Sequence, residues 1–98
     1  MRLEKIRVAG GLRVLVEGRI DTTTAPDFGT EISDELDDVR ELILDFREVE
    51  YVSSLGLRVI LELQKTMNEK GKMKVVNVNK TVMDIFKMTG FNKILTIE

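Results

Sequence analysis

The junction Tyr51-Val52-Ser53-Ser54-Leu55-Gly56-Leu57 constrains this chain more than any other stretch, because two different periodicities meet there. Before it, Leu42-Ile43-Leu44-Asp45-Phe46 is a run of branched and aromatic residues that reads as a buried strand. After it, Leu57, Ile60, Leu61, Leu63 and Met67 recur at helical spacing up to a stop at Gly71. Two hydroxyls and a glycine thus stand where a strand passes directly into an amphipathic helix. At a helix start, four backbone N–H groups lack intrahelical partners, and a serine side chain can serve them as a cap. The same donors, with the positive end of the helix dipole, favour a phosphate. Ser53 or Ser54 is therefore either an ordinary cap or a site of reversible phosphorylation.

The remaining segments alternate around this junction. Residues 2–8 and 11–17 read as two strands joined by a tight turn at Gly10-Gly11. Thr24 is placed to cap a helix with Pro26 in its first turn, where a missing N–H is harmless. That helix is predicted to run to about Val39, with Phe28, Ile32, Leu36 and Val39 on one stripe. Gly29 within it suggests close packing. Residues 41–46 form a third strand, 54–70 a second helix, and Lys72–Val78 a fourth strand. A short helix over Lys80–Met88 ends at Gly90, and Lys93–Ile97 makes a fifth strand. The order implies an α/β fold with three helices packed on a mixed sheet of about five strands, its later crossovers parallel.

Ninety-eight residues suit one domain, residues 1–98, with no linker, repeat or low-complexity segment. With 43% hydrophobic and 33% charged residues, the composition is that of a soluble globular protein. No apolar run approaches the roughly 20 residues needed to span a bilayer, and no signal-peptide core follows Met1, so a cytoplasmic location is expected. Fifteen Lys and Arg stand against 17 Asp and Glu. The one Tyr and four Phe mostly sit among apolar neighbours, so neither a basic patch nor stacking aromatics point to nucleic acid. The acidic cluster Glu31, Asp34, Glu35, Asp37 and Asp38 reads as a solvated face rather than a metal or recognition site.

The absence of histidine rules out a Ser-His-Asp triad, and without His or Cys there is no ordinary set of zinc ligands. The nucleophile elbow, the phosphate-binding loop and the dinucleotide fingerprint are all missing. Asp45 and Glu48 resemble a carboxylate couple, but so small a chain has little room for a deep cleft. No enzymatic activity and no cofactor are expected.

Laid side by side, three segments carry a resemblance. Gly18-Arg19-Ile20-Asp21, then Leu44-Asp45-Phe46-Arg47-Glu48-Val49 with Tyr51-Val52-Ser53-Ser54-Leu55-Gly56-Leu57, then Phe86-Lys87-Met88-Thr89-Gly90-Phe91-Asn92-Lys93-Ile94 occur in the order and spacing of one family. The chain resembles a STAS domain of the anti-sigma-factor antagonist type over nearly its full length. In that family a partner kinase phosphorylates the serine two residues before the glycine, which corresponds to Ser54, with Ser53 the alternative. The preceding position is typically Asp and is Ser53 here.

The resemblance implies a protein that binds an anti-sigma factor with serine kinase activity and so frees a sigma factor. Phosphorylation of Ser54 would end binding, and a protein phosphatase would restore it. By the same resemblance Asp21, Thr22 and Thr23 border the partner, and the domain alone is a monomer. Ser53, Ser54, Leu55, Gly56, Arg58 and Phe91 are expected to complete the partner-binding surface, although Gly56 also suits tight packing of the helix start and Phe91 a core or rim position. Arg58 stands four residues after Ser54, where it could pair with a phosphate on the same helix face. Turn and cap chemistry would equally explain Asp21, Thr22 and Thr23. The alternative reading is a scaffold subunit of a lipid-transport or signalling complex, indifferent to phosphorylation.

Overall fold

In the computed structural model, which describes residues 1–98, strands β1 (Arg2–Val8) and β2 (Gly11–Ile20) form an antiparallel hairpin turning at Ala9-Gly10. Helix α1 (Ala25–Ser33) crosses to β3 (Glu41–Val52), helix α2 (Ser54–Asn68) crosses to β4 (Lys72–Val76), and helix α3 (Lys80–Thr89) follows. The sheet order is β1-β2-β3-β4, with the β2–β3 and β3–β4 pairs parallel.

The parallel registers sort the side chains between two faces. Leu12 lies opposite Leu42 and Leu42 opposite Met73, while Val14, Leu44 and Val75 form the next row. These residues join Ala25, Phe28 and Ile32 of α1, Leu57, Ile60, Leu63 and Met67 of α2, and Val82 and Phe86 of α3 in one buried cluster. All three helices therefore cover one face, with the Phe46 and Phe86 rings 6.3 Å apart between sheet and α3. α1 and α2 pack so closely that a Cβ on Gly29 would lie 2.7 Å from Val59 Cγ1.

The opposite face carries Ile6, Arg13, Ile43 and Lys74 in one row and Glu4, Leu15, Asp45 and Val76 in the next, and no helix covers it. Asp45 is only 5% exposed there. Its carboxylate accepts hydrogen bonds from Arg13 Nη2 at 2.7 Å, Asn77 Nδ2 at 3.1 Å and the Arg47 backbone N–H at 3.0 Å. Burial by itself would push this carboxyl up. The Arg47 N–H, Asn77 and Arg13 together outweigh it and hold the group below its ordinary 3.8.

Several boundaries differ from those read in the sequence. α1 stops at Ser33 rather than near Val39 because the chain tightens into i→i+3 bonds, Glu35 N–H to Ile32 O and Leu36 N–H to Ser33 O. Leu36 and Val39 stay buried, but from a turn that Lys70 ties down through the Leu36 and Asp37 carbonyls. β2 and β3 run on to Ile20 and Val52, beyond the expected 17 and 46. β4 ends at Val76 because Asn77 turns left-handed at φ 58°. The expected fifth strand, Lys93–Ile97, is reduced to one bridge between Val75 and Ile97. After the left-handed Gly90 (φ 80°), a 3₁₀ turn over Phe91–Lys93 occupies the Lys93, Ile94 and Leu95 N–H groups. Only the last residues are left to reach β4.

Asp45→Ala should destabilise the fold by about 2 kcal/mol at pH 7, since three donors lose their acceptor. Because the folded carboxyl is more acidic than the unfolded one, its contribution is complete above about pH 4 and is lost as pH falls through the lowered value. Urea unfolding across pH 7 to 2 should show the two proteins converging at the acid end.

Candidate functional site

The C-terminal ends of β2 and β3 bring two loops together. Ile20 pairs with Val52, and the ladder is prolonged by the Ser53 N–H, which donates to the Ile20 carbonyl at 2.8 Å. Asp21 thus lies beside the junction that sequence alone marks as special.

The first loop is organised by Asp21. Its Oδ1 accepts from the Thr23 N–H at 3.0 Å and the Thr24 N–H at 3.1 Å, and its own N–H donates to Thr24 Oγ1 at 2.9 Å. The Thr24 N–H above all, with the Thr23 N–H, the Thr24 hydroxyl and Arg19, keeps this carboxyl below its ordinary value. Thr24 occupies the cap position of α1, yet its hydroxyl does not cap. It donates instead to the Arg19 carbonyl at 2.7 Å. Thr24 sits in the right-handed helical region, and the second helical residue is Pro26, which has no N–H to offer. Thr22 and Thr23 are exposed at the tip.

The second loop separates the two serines. Ser53 is extended (φ −84°, ψ 175°), and its Oγ accepts from the Gly56 N–H at 3.1 Å, so it is the cap of α2. Ser54 is the first helical residue, exposed, with no hydrogen bond to its hydroxyl. Leu55 is half-buried against the core, and Leu57 is buried. Gly56 is a matter of space. A Cβ there would lie 2.6 Å from the Ile20 carbonyl oxygen and 3.0 Å from Val52 Cγ1. Only glycine lets the first turn of α2 sit directly on the end of β2. Arg58, one turn further on, is exposed and pairs with no carboxylate.

Asp21, Thr22, Thr23, Ser53, Ser54, Leu55, Gly56 and Arg58 therefore share one end of the sheet. Phe91 does not join them. α3 starts at Asn79, whose side chain caps Val82 N–H and donates to the Val49 carbonyl at 2.6 Å near the top of β3. Phe91 follows the other end of that ten-residue helix, about 15 Å away, half-buried against the core. One feature escaped the sequence: Arg19 lies over the Tyr51 ring, its guanidinium carbon 4.6 Å from the centroid. Two residues 32 apart carry no periodic signal of such a contact.

The chain matches the family model described as the STAS domain over residues 3–98. The anti-sigma F factor antagonist of Paenibacillus polymyxa is 28% identical over 100 residues, which cover 99% of this chain and 86% of that protein. An anti-sigma factor antagonist from Mycobacterium paratuberculosis superposes with a TM-score of 0.88 at 24% identity, over 98% of this chain and 83% of that one. SpoIIAA, an anti-sigma factor antagonist of Bacillus, superposes in its unphosphorylated form with a TM-score of 0.83 at 17% identity, over 99% and 88% of the two chains. Its phosphorylated form gives 0.75 at 15% identity, over 99% and 91%. At these identities the structural likenesses speak for the fold.

Ser53→Ala should cost about 1 kcal/mol through loss of the cap, and Gly56→Ala about 1–3 kcal/mol through overpacking against Ile20. Ser54→Ala should stay within about 0.5 kcal/mol of wild type. Chemical denaturation of the three variants tests the assignment, and an equal loss in Ser54→Ala would move the cap to that residue.

Proposed function

Since the chain belongs to the STAS domain family, we propose that it is an anti-sigma factor antagonist: it binds an anti-sigma factor that has serine kinase activity, releases the sigma factor, and is switched off by phosphorylation of Ser54. The observation that carries this reading is the division of labour between the serines. Ser53 is committed to the helix cap, and Ser54 presents an unengaged hydroxyl at the first position of α2. The related P. polymyxa protein is an anti-sigma F factor antagonist, and SpoIIAA occurs in phosphorylated and unphosphorylated forms, which supports the same role here.

The physics of the switch follows from that position. A phosphate adds roughly −1.5 to −2 charges and three acceptor oxygens. On its own domain it is tolerated, because the start of α2 offers unpaired N–H groups and the positive end of a dipole. Arg58, one turn away and free of carboxylate partners, is in reach to pair with it. In a packed interface the same charge must be desolvated beside Leu55 or face acidic groups of the partner, so binding should collapse. Phosphorylation changes the surface while the fold stays as it is. A separate phosphatase would restore the binding form. The domain itself serves as ligand and substrate, so the nucleotide chemistry belongs to its partner.

Incubation with the anti-sigma factor of the source organism and ATP, followed by intact-mass and peptide mass spectrometry, should show one added phosphate. It should survive Ser53→Ala and vanish in Ser54→Ala. The phosphorylated protein, or Ser54→Asp, should bind a few hundredfold more weakly, equivalent to about 3–4 kcal/mol. Stable binding without any phosphate would replace this reading by the constitutive scaffold. In the phosphorylated form Arg58→Ala should lower the melting temperature, and an unchanged value would remove Arg58 from the phosphate site.

A further inference from the structure

The face of the sheet away from the helices is not flat. From Leu15 to Glu17, β2 runs opposite Asp45 to Glu48 of β3, so β3 carries an extra residue and bulges. At the bulge a cavity of about 240 Å³ opens between these strands and the start of β1. Bulges are uncommon between parallel strands, and they recur beside binding sites because they re-aim a side chain. The residue re-aimed here is Arg47, whose N–H turns to Asp45 Oδ1 at 3.0 Å and whose side chain lines the cavity.

Two rows of residues make the walls. Arg2, Glu17 and Glu48 are successive partners across β1, β2 and β3, and Glu4, Leu15 and Asp45 form the next row. The Asp45 carboxylate is already engaged by Arg13, Asn77 and the Arg47 N–H. The other charges are not. Arg2, Glu4, Glu17, Arg47 and Glu48 all reach solvent, and none of them takes part in an ion pair. Glu17 and Glu48 are directly opposed on neighbouring strands. Like charges so placed work against the sheet, and a cation between them removes the penalty.

We propose that this cavity binds a small zwitterion of the amino-acid type, with its ammonium group between Glu17 and Glu48 and its carboxylate on the guanidinium of Arg47. The lining holds the free carboxylates of Glu4, Glu17 and Glu48 against the free guanidiniums of Arg2 and Arg47, which suits a ligand of both signs and disfavours a plain anion. Leu15, half-buried between the two rows, offers a short apolar contact. The volume falls below the roughly 300–1,000 Å³ of sites for drug-sized ligands, so the occupant is small. No residue of the serine junction or of the Asp21 turn takes part. The site therefore stands independently of the partner proposed above.

The test is an NMR titration of the isotope-labelled protein with glycine, L-alanine, L-glutamate and L-lysine. Ethanolamine and acetate serve as single-charge controls, and each variant is also melted without ligand. At least one amino acid should give saturable shifts at the Leu15, Glu17, Arg47 and Glu48 amides with a Kd of about 1 mM or below, and neither control should. Glu48→Gln and Arg47→Gln should each weaken binding by about tenfold or more, through loss of a charged hydrogen bond. Without ligand Glu48→Gln should melt no lower than wild type, because it relieves the opposed pair. Ethanolamine binding as tightly as the amino acids would make this a simple cation site and overturn the zwitterion. Unchanged affinity in Glu48→Gln, or no saturable shift with any of the amino acids, would overturn the site itself.

Discussion

One backbone hydrogen bond, from the Ser53 N–H to the Ile20 carbonyl, sets the geometry on which the rest of the site depends. It extends a parallel ladder one step past the last paired residues, at the point where β3 must become α2. The same carbonyl oxygen leaves no room for a Cβ at position 56. A glycine in the first turn of α2 and a strand end beneath it are thus two sides of a single constraint. With that contact made, the loop after β2 and the loop after β3 cannot separate, and the Asp21 turn lies against the serine pair.

Two aspartates are held more acidic than usual, for different structural ends. Asp45 is buried beneath the uncovered face of the sheet and ties β2, β3 and the turn after β4 through Arg13, Arg47 and Asn77. Its negative charge survives burial because each donor is already aimed at it. Asp21 is at the surface, and its charge is spent on shaping a loop. The first stabilises the scaffold and the second stiffens what the scaffold displays. For the switch proposed above, a stiff loop beside Ser54 means that an added charge would be expressed at the surface rather than absorbed by rearrangement.

Much of this was legible in the residues. The strand-to-helix junction, the three helices, the Pro26 start, the Gly90 stop and the close packing at Gly29 all follow from local pattern or from one residue's stereochemistry. The end of α1 was not legible, because Leu36 and Val39 keep the helical stripe while sitting in a turn held from outside by Lys70. The fifth strand was not either. Ile94-Leu95-Thr96-Ile97 has strand composition, but the 3₁₀ turn before it takes up the backbone donors and leaves one bridge to Val75. Thr24 does stand at the cap position of α1, but its hydroxyl turns back to the Arg19 carbonyl, which local pattern does not reveal. At α2 the pattern allowed either serine, and the extended backbone of Ser53 decides which one caps.

By itself the sequence determined the α/β class, the order of elements as far as α3 and the location of the strand-to-helix junction, since these rest on periodicity and on short-range rules for glycine, proline and serine. The tertiary structure alone decided which serine is free, why position 56 must lack a side chain, and that Arg19, Asp21 and Tyr51 share one surface, while Phe91 follows the far end of α3. Those facts depend on register between strands that are far apart in the chain. No local pattern encodes register, because it is set by the packing of the whole hydrophobic face.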